Sequence, residues 1–337
     1  MEAGLPSFGT RPLLALTLGD PAGIGPEIAL RAREDARVRD RVRLVLIGPG
    51  SLRPREVPLR TAGDLSTPRS RGEDRSADPV WIDSGGPGSF EMGRVQASCG
   101  RAAIAALRVG HDLAMDGRVD ALVTCPVSKS ALHLAGEAVE GQTELLGRWA
   151  GVERIEMLAI AGRMRVMLLT RHLPLRAAID QITVERVVDR LELLDQSLRR
   201  LGIGAPRVAL AGLNPHAGEG GILGSEDEEI LRPAVAILRD RGLDVVGPRA
   251  PDTVFLQASR GEFDGVLALY HDQAFIPIKL LSHEEGVTVL AGLPYLRVSP
   301  VHGTAFDIAG RGKASHENLV AAILFAAERS GLRNPTW

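Results

Sequence analysis

Three of the eight histidines stand where a metal site could form, because each comes just after a short apolar run. His172 follows MLLT, His216 follows the run that begins at Val208, and His271 follows VLAL. Such runs predict strands covered on both faces, and parallel α/β sheets bind ligands beyond the carboxyl ends of their strands. Three imidazoles with open coordination positions can hold a divalent ion that polarises a substrate oxygen. The trio therefore predicts a catalytic metal site, the alternative being three ordinary polar loop residues.

Two glycine-rich segments are candidates for binding an anionic ligand through backbone N–H groups. GDPAGIGPE, residues 19–27, lies between a predicted strand and a predicted helix, and its prolines break the dinucleotide-binding pattern GxGxxG. It predicts a turn and a helix N-terminus that orient an anion. The segment from Gly303 to Lys313 can carry a cofactor phosphate, and His302 just before it is a candidate for lining a nucleotide pocket.

Cationic side chains near these motifs are candidates for holding the anionic part of a substrate. Lys279 and Arg297 follow the third histidine along the chain, and Lys129 lies at a predicted strand-to-helix junction in TCPVSKSAL. An arginine can bind a carboxylate or phosphate through two N–H groups, whereas a lysine supplies a point charge. The alternative for each of them is a solvated surface charge.

The elements that must position these residues alternate between short apolar runs and amphipathic segments. Strands are predicted at residues 13–18, 42–47, 121–124, 157–160, 164–169, 208–211, 266–269 and 287–290. Helices are predicted at residues 24–34, 92–115, 184–201, 226–241 and 316–330. This alternation indicates an α/β fold with a largely parallel sheet.

Length and composition exclude several classes of protein. A chain of 337 residues exceeds what one hydrophobic core usually serves, which predicts two lobes. The net charge of -2 gives no electrostatic case for binding nucleic acid, and no apolar stretch approaches the ~20 residues that span a membrane. Cys99 and Cys125 show no CxxC spacing, which is typical of a cytoplasmic protein. Residues 51–79, crowded with Arg, Pro, Ser, Asp and Gly, predict a flexible surface excursion.

In order and spacing, the motifs resemble those of the 4-hydroxythreonine-4-phosphate dehydrogenase family of pyridoxal phosphate biosynthesis. The resemblance runs from Gly19 to about Arg329 and is carried by GDPAGIGPE, TCPVSK, GLNPHAGEGG, APDT, YHDQ and HGTAFDIAGRGKA. It implies the two-lobed fold of isocitrate and isopropylmalate dehydrogenases, with an interdomain cleft and lobes built from discontinuous segments. We expect residues 1–125 with 271–337 to form a cofactor-side lobe, and residues 126–270 to form the lobe that carries dimerisation and metal ligands.

The resemblance also implies roles for individual residues. The ligands of one divalent ion (Zn, Mg, Co or Mn) match His172, His216 and His271. Substrate contacts correspond to Gln142, Thr143, Lys279, Thr288 and Arg297. NAD, with NADP as the alternative, would lie near His302, Gly303, Thr304, Gly310 and Lys313. The catalytic candidates are Lys129, for proton transfer, and Asp252, which would reach the partner's active site in a homodimer with shared sites.

Three departures from the family's pattern fall around the substrate and cofactor. The family's His-Thr-Glu becomes Gln142-Thr143-Glu144, an asparagine becomes Thr288, and the aspartate before the HGTA motif becomes Val301. The implied reaction is metal-dependent oxidation, by NAD, of the 3-hydroxyl of 4-phosphohydroxy-L-threonine, followed by decarboxylation to 3-amino-2-oxopropyl phosphate. The alternatives are the same chemistry on a 4-phosphothreonate or a dihydrodiol carboxylate, or a non-catalytic protein that binds a small anion.

Overall fold

The computed structural model describes residues 11–65, 79–282 and 285–330. They fall into two compact units. One unit contains the chain up to Leu146 together with the segment that begins at Tyr295, and the other contains Gly147–Pro294. No helix among the described residues combines the length and apolar character that a membrane span requires.

The first unit is built on six parallel strands in the order β3-β4-β2-β1-β5-β12. The strands are β1 (Leu13–Thr17), β2 (Arg43–Gly48), β3 (Leu59–Arg60), β4 (Val80–Asp83), β5 (Ala121–Thr124) and β12 (Arg297–Pro300). The central strands β1, β2 and β5 are almost wholly buried, as their continuous apolar sequences predict. The helices of the first unit are α1 (Gly25–Glu34), α2 (Ala36–Arg39), α3 (Ala97–Met115), α4 (Lys129–Leu134) and α11 (Glu317–Ser330). Helix α5 (Gln142–Ala150) begins in the first unit, whose first segment ends at Leu146.

The second unit also has six strands, in the order β11-β6-β7-β10-β8-β9. They are β6 (Glu156–Ala161), β7 (Met164–Leu168), β8 (Val208–Ala211), β9 (Val245–Arg249), β10 (Gly265–Ala268) and β11 (Val287–Ala291). Strands β7, β10, β8 and β9 are parallel, whereas β6 is antiparallel to both β7 and β11. The helices are α6 (Leu175–Asp180), α7 (Val184–Arg200), α8 (Arg232–Asp240), α9 (Pro251–Ser259) and α10 (His271–Ser282).

The observed boundaries between the units lie later in the chain than the expected ones, after residues 146 and 294 instead of 125 and 270. Helix α10 and strand β11 therefore belong to the second unit. The physical reason is burial, because Phe275 and Ile278 of α10 join the same apolar cluster as Met164 and Val166 of β7. Strand β11 adds backbone pairing along residues 156–160 of β6.

All eight predicted strands are present, each within one residue of its expected ends. Strands β3, β4, β9 and β12 were missed, because each contains a charged residue and two of them also contain proline, so none is a continuous apolar run. The predicted helix at 226–241 starts as a π-helical turn, Asp227–Leu231, before α8. Within the predicted excursion at 51–79, the structure shows β3 and turns of 3-10 helix, while residues 66–78 lie outside the described part of the chain.

Candidate functional site

The histidines singled out by the sequence all follow neighbouring parallel strands of the second unit. His172 comes four residues after β7 ends at Leu168, and His271 begins α10 directly beyond β10. His216 lies in the loop after β8. Because β7, β10 and β8 are adjacent and parallel, their carboxyl ends lie at one edge of the sheet. The sequence showed where each strand ends, and the pairing order explains why these ends are neighbours.

A chain of buried hydrogen bonds ties these strand ends together. The Thr170 hydroxyl after β7 donates to the Leu269 carbonyl after β10 at 2.8 Å. The Leu269 N–H donates to Oε1 of Gln273 at 2.7 Å, and Nε2 of Gln273 donates to the Gly212 carbonyl after β8 at 2.8 Å. Both polar side chains are buried, so these bonds replace water that the interior excludes. The network sets the spacing of the loops that carry the three histidines, and sequence reasoning missed it.

His271 is oriented by its neighbour Asp272. Its Nδ1 lies 2.7 Å from Oδ1 of Asp272. A carboxylate can only accept, so Nδ1 carries the proton and Nε2 remains available as a ligand, the arrangement that favours metal binding by histidine. The His271 ring stacks on Phe275 at 4.7 Å between centroids and lies 5.5 Å from the ring of His172.

His216 starts a run of five residues in the left-handed conformation. Its φ is 53°, and φ is 55° at Ala217 and 45° at Glu219, with Gly218 and Gly220 completing the run. Left-handed backbone costs a residue with a side chain roughly 1–2 kcal/mol. Strain of this kind persists only where surrounding structure holds it, and it concentrates at functional sites. The loop is therefore a strained element that presents an exposed imidazole.

The donor set suits a divalent ion, since three solvent-accessible imidazoles follow adjacent strands and one has its second nitrogen held by a carboxylate. A different group brings its ligand atoms within 4.8 Å of one another among the described residues, namely Asp35, His316 and Glu317. Among the described residues, the ligand atoms of the three histidines do not all lie within 4.8 Å of one another. In the acidic group, however, the Arg37 guanidinium pairs with Asp35 at 2.6 Å and Glu317 at 2.8 Å, so its carboxylates already have a cation.

A second polar cluster lies in the first unit, where β5 ends. Arg297, the first residue of β12, is 5% exposed and donates from Nη2 to the Thr124 hydroxyl at 2.6 Å. Its Nε is buried and has no hydrogen-bond partner. Burial lowers the pKa of Arg297 to about 10, against the opposing effects of Tyr295 and Glu144, so the guanidinium remains charged at neutral pH. A buried cation with an unused donor is suited to an anionic ligand oxygen.

Gln142 belongs to the same cluster, and its hydrogen bond decides which atom is left over. Its Nε2 donates to the Cys125 carbonyl at 3.0 Å. That carbonyl can only accept, so the nitrogen must face it, and Oε1 is left buried without a partner. Gln142 thus offers an acceptor, which suits a ligand hydroxyl or ammonium and not an anionic oxygen. The sequence showed the loss of an imidazole here but not this polarity.

Asp20, in the GDPAGIGPE segment, was not singled out from the sequence. It is fully buried, its Oδ1 accepts the Ala22 N–H at 2.9 Å, and its own N–H donates to the Pro126 carbonyl just after β5. Burial raises the pKa of its carboxyl to about 6, although N–H groups of Ala22 and Ser128 oppose the shift. A carboxyl that titrates near neutrality beside β5 adds a proton-binding group to this end of the unit.

Asp20→Asn is expected to remove a pH dependence of stability. The raised pKa means that the folded state binds this proton more tightly, so the contribution is complete below pH 3.8 and is lost as pH rises through about 6. As the pH rises from below 3.8 to above about 6, the unfolding free energy of the wild type should therefore fall by about 3 kcal/mol more than that of the variant. Urea unfolding of both proteins at acidic and neutral pH measures this difference, and parallel pH profiles would contradict it.

The glycine-rich segment at 303–313 is tied to the GDPAGIGPE segment. The Glu27 carboxylate accepts the N–H of Gly310 at 3.1 Å and that of Ala314 at 3.3 Å. The Ile24 N–H donates to the Thr304 carbonyl. His302 has a buried Nε2 without a hydrogen-bond partner, and burial lowers the pKa of its ring. Hydrogen bonds therefore join the two segments that the sequence predicted to bind anions.

The remaining predicted site residues are divided between the units. The first unit carries Lys129, exposed at the start of α4, Thr143 on α5, and Lys313, exposed after the glycine-rich segment. The second unit carries Asp252, exposed in the first turn of α9, Lys279, exposed on α10, and Thr288, buried in β11. Four residues missed from the sequence, Asp20, Thr170, Asp227 and Gln273, are buried polar groups that act on backbone or on other side chains.

Comparisons with known proteins agree on one family. Residues 50–326 match the family described as pyridoxal phosphate biosynthetic protein PdxA. A 4-hydroxythreonine-4-phosphate dehydrogenase of Desulforapulum autotrophicum is 39% identical over 94% of this chain and 95% of its own. A D-threonate 4-phosphate dehydrogenase of Salmonella typhimurium is 40% identical over 94% of this chain and 98% of its own. The crystal structure of 4-hydroxythreonine-4-phosphate dehydrogenase from Klebsiella pneumoniae is similar with a TM-score of 0.83 and 38% identity, covering 95% of this chain and 100% of that one.

Proposed function

Since this chain belongs to the PdxA family of pyridoxal phosphate biosynthetic proteins, we propose that it oxidises the 3-hydroxyl of 4-phosphohydroxy-L-threonine with a nicotinamide cofactor. When bound, the cofactor would accept a hydride from the substrate carbon as the hydroxyl proton is released. The resulting β-keto acid would then lose CO₂, and its α-carbon would take up a proton to give 3-amino-2-oxopropyl phosphate. The observation that carries the proposal is the set of adjacent strand ends bearing His172, His216 and His271.

These three histidines would hold one divalent ion, Zn, Mg, Co or Mn. When bound, such an ion would lower the pKa of the coordinated substrate hydroxyl and stabilise the negative charge that develops on its oxygen. The contribution of the chain is to hold the imidazoles in place through the Thr170–Gln273 network and the Asp272 carboxylate. A ligand oriented in this way needs less reorganisation when it coordinates.

Arg297 is the residue best suited to bind the anionic group of the substrate, because it is charged, buried and has a free Nε donor. Oε1 of Gln142 accepts from a substrate donor in the same cluster. By resemblance to the family, Thr143, Lys279 and Thr288 also contact the substrate. Lys129 is the candidate that moves a proton at its Nζ.

For the cofactor we propose NAD, bound along the glycine-rich segment. Support comes from the exposed Gly303 and Gly312, the buried and unpartnered Nε2 of His302 and the exposed cation of Lys313. Glu27 holds this segment by two backbone N–H groups. We place the reaction in the cytoplasm, in keeping with two free, buried cysteines.

A second candidate substrate is D-threonate 4-phosphate, which carries a hydroxyl where the first candidate carries an ammonium group. The observation that supports it is the unpartnered Oε1 of Gln142, which can accept a hydrogen bond from a substrate hydroxyl as well as from an ammonium group. A relative with 40% identity also bears this activity in its name. A 4-hydroxythreonine-4-phosphate dehydrogenase is similar to the same degree, so identity does not decide between the two.

The test is NADH formation by the purified protein with divalent metal, NAD and each phosphorylated substrate in turn. We expect turnover of one of them with kcat/KM at least tenfold above the other, and loss of turnover after chelation. NADP in place of NAD tests the cofactor. Absence of reduction with either substrate and either cofactor would remove the proposal and favour a protein that only binds an anion.

We also propose a homodimer in which Asp252 reaches the partner's active site. The support is an apolar surface on the second unit, where Ile276 and Leu280, one turn apart on α10, are 60% and 71% exposed. On α9, Leu256 is 52% exposed and lies one turn after Asp252, on the same face of the helix. Large exposed apolar side chains of this kind mark protein interfaces.

Leu280→Asp is expected to convert the dimer to a monomer, because a charge buried in an interface without a partner costs several kcal/mol. Sedimentation velocity measures the change, and activity should fall with the dimer fraction. Leu59→Asp is the matched control, since Leu59 is a similarly exposed leucine of the first unit, at 51%. A fully active monomer of either the wild type or the variant would contradict the shared site.

A further inference from the structure

Asp227 has no role in the proposed reaction, yet it is fully buried at the start of the π-helical turn after the His216 loop. Buried carboxylates need partners, because removing a charge from water is costly. The partners of Asp227 are backbone and side-chain N–H groups of residues just before His216. Its contacts therefore belong to the loop that presents the histidine.

Three N–H groups converge on this carboxylate. Oδ1 accepts the Leu213 N–H at 3.0 Å. Oδ2 accepts both the Asn214 N–H at 3.0 Å and Nδ2 of Asn214 at 2.9 Å. A carboxylate can accept hydrogen bonds through both of its oxygens, whereas an amide or a hydroxyl has only one oxygen and cannot accept all three N–H groups in this arrangement.

Two glycines allow the loop to approach Asp227 this closely. A Cβ on Gly212 would lie 2.9 Å from Oδ1 of Asp227, and one on Gly218 would lie 3.2 Å from its Cβ. Gly212 ends the segment anchored by Gln273, and Gly218 lies inside the left-handed run. The carboxylate thus occupies the centre of the loop, with the start and the middle of the loop packed around it.

We propose that Asp227 is a positioning residue that holds the His216 loop in its left-handed conformation and so presents this imidazole to the divalent ion. The inference rests on the proposed metal site. It differs from a general role in stability, because the N–H groups that Asp227 accepts come immediately before the strained residues. Without these hydrogen bonds the loop would relax toward ordinary backbone angles and His216 would be displaced, while the strands beneath the loop would keep their pairing.

Asp227→Asn tests this at nearly constant volume. Whichever way the amide is turned, its NH₂ group faces an N–H of the loop, so either one or two of the three anchoring contacts are replaced by repulsion. We expect the dissociation constant for Co²⁺, measured by titration of the metal-free protein and its visible absorption, to rise about 10- to 100-fold. Amide hydrogen exchange of residues 212–224 should also be faster in the variant without metal.

Asp264→Asn is the matched control, because Asp264 accepts the Arg207 N–H at 2.8 Å just before β8, at the opposite end of the same strand. It should bind Co²⁺ as the wild type does. If Asp227→Asn does not fold, Asn214→Ala removes one of the three donors and is expected to weaken Co²⁺ binding in the same direction. Equal Co²⁺ affinity in the wild type and in these loop variants would overturn the positioning role alone. A wild type that binds no divalent ion would overturn the proposed metal site and this inference with it.

Discussion

His216→Ala is expected to lower kcat/KM by about a thousandfold or more while leaving the protein folded. An ion that stabilises developing negative charge contributes several kcal/mol, and each 1.4 kcal/mol corresponds to a factor of ten. The imidazole is exposed, so its loss removes little packing. The measurement combines NADH formation, metal content after dialysis and the thermal unfolding midpoint. Metal content and activity should fall together, whereas the metal-free forms of the variant and the wild type should share one midpoint.

The matched control is His133→Ala, because His133 is an exposed histidine of the first unit whose Nε2 contacts the Val139 carbonyl at 2.9 Å. Activity within about threefold of the wild type is expected, the range of a surface change away from the site. If His216→Ala kept near-normal turnover and near-normal metal content, the metal ligands would have to be sought elsewhere in the chain.

Arg297→Met is expected to lower kcat/KM for a phosphorylated substrate by about 10- to 100-fold, chiefly through KM. Methionine keeps much of the buried volume but removes the charge and the Nε donor that has no partner within the protein. A hydrogen bond to a charged group contributes roughly 1.5–3 kcal/mol, which gives the stated range. The Thr124 hydroxyl also loses its guanidinium partner, so the folded fraction must be measured beside the kinetics.

Arg200→Met is the control for removing a partly buried arginine. Burial lowers the pKa of Arg200 too, but its guanidinium contacts the Leu293 carbonyl in the second unit and no residue of either polar cluster. Its KM should remain close to that of the wild type. Equal KM values for Arg297→Met and the wild type would show that another residue binds the anionic group.

The apolar strands were predictable from sequence, because a strand covered on both faces must be a continuous apolar run whatever its neighbours are. Strands β8 and β10 are of this kind throughout and β7 departs from it only at Arg165, and each predicted end placed a histidine beyond it. Strands β4 and β12 escaped although they are no shorter than β8 and β10, because each contains a charged residue and β12 ends in proline, so neither is a continuous apolar run. The antiparallel pairing of β6 with β7 and β11 was likewise invisible, because local periodicity does not encode strand direction.

The boundaries between units and the groups that position the site depended on contacts distant in the chain. Residues 271–294 join the second unit because α10 shares its apolar core and β11 pairs with β6, which no local pattern indicates. The buried acceptors at Asp227 and Gln273 looked in sequence like ordinary polar residues. Their partners, at Leu213 and Gly212, became apparent only when the loops were folded together.

The sequence by itself determined the types of chemistry available, namely imidazoles after strands, the cation of Arg297 and glycine-rich turns that can bind an anion. Tertiary structure alone decided which atoms of these residues remain unused. Nε2 of His271, Nε of Arg297 and Oε1 of Gln142 are left over because their companion atoms bond to Asp272, Thr124 and Cys125. The physical reason is that a hydrogen bond consumes a donor or an acceptor, and which one is consumed depends on the neighbour that folding supplies.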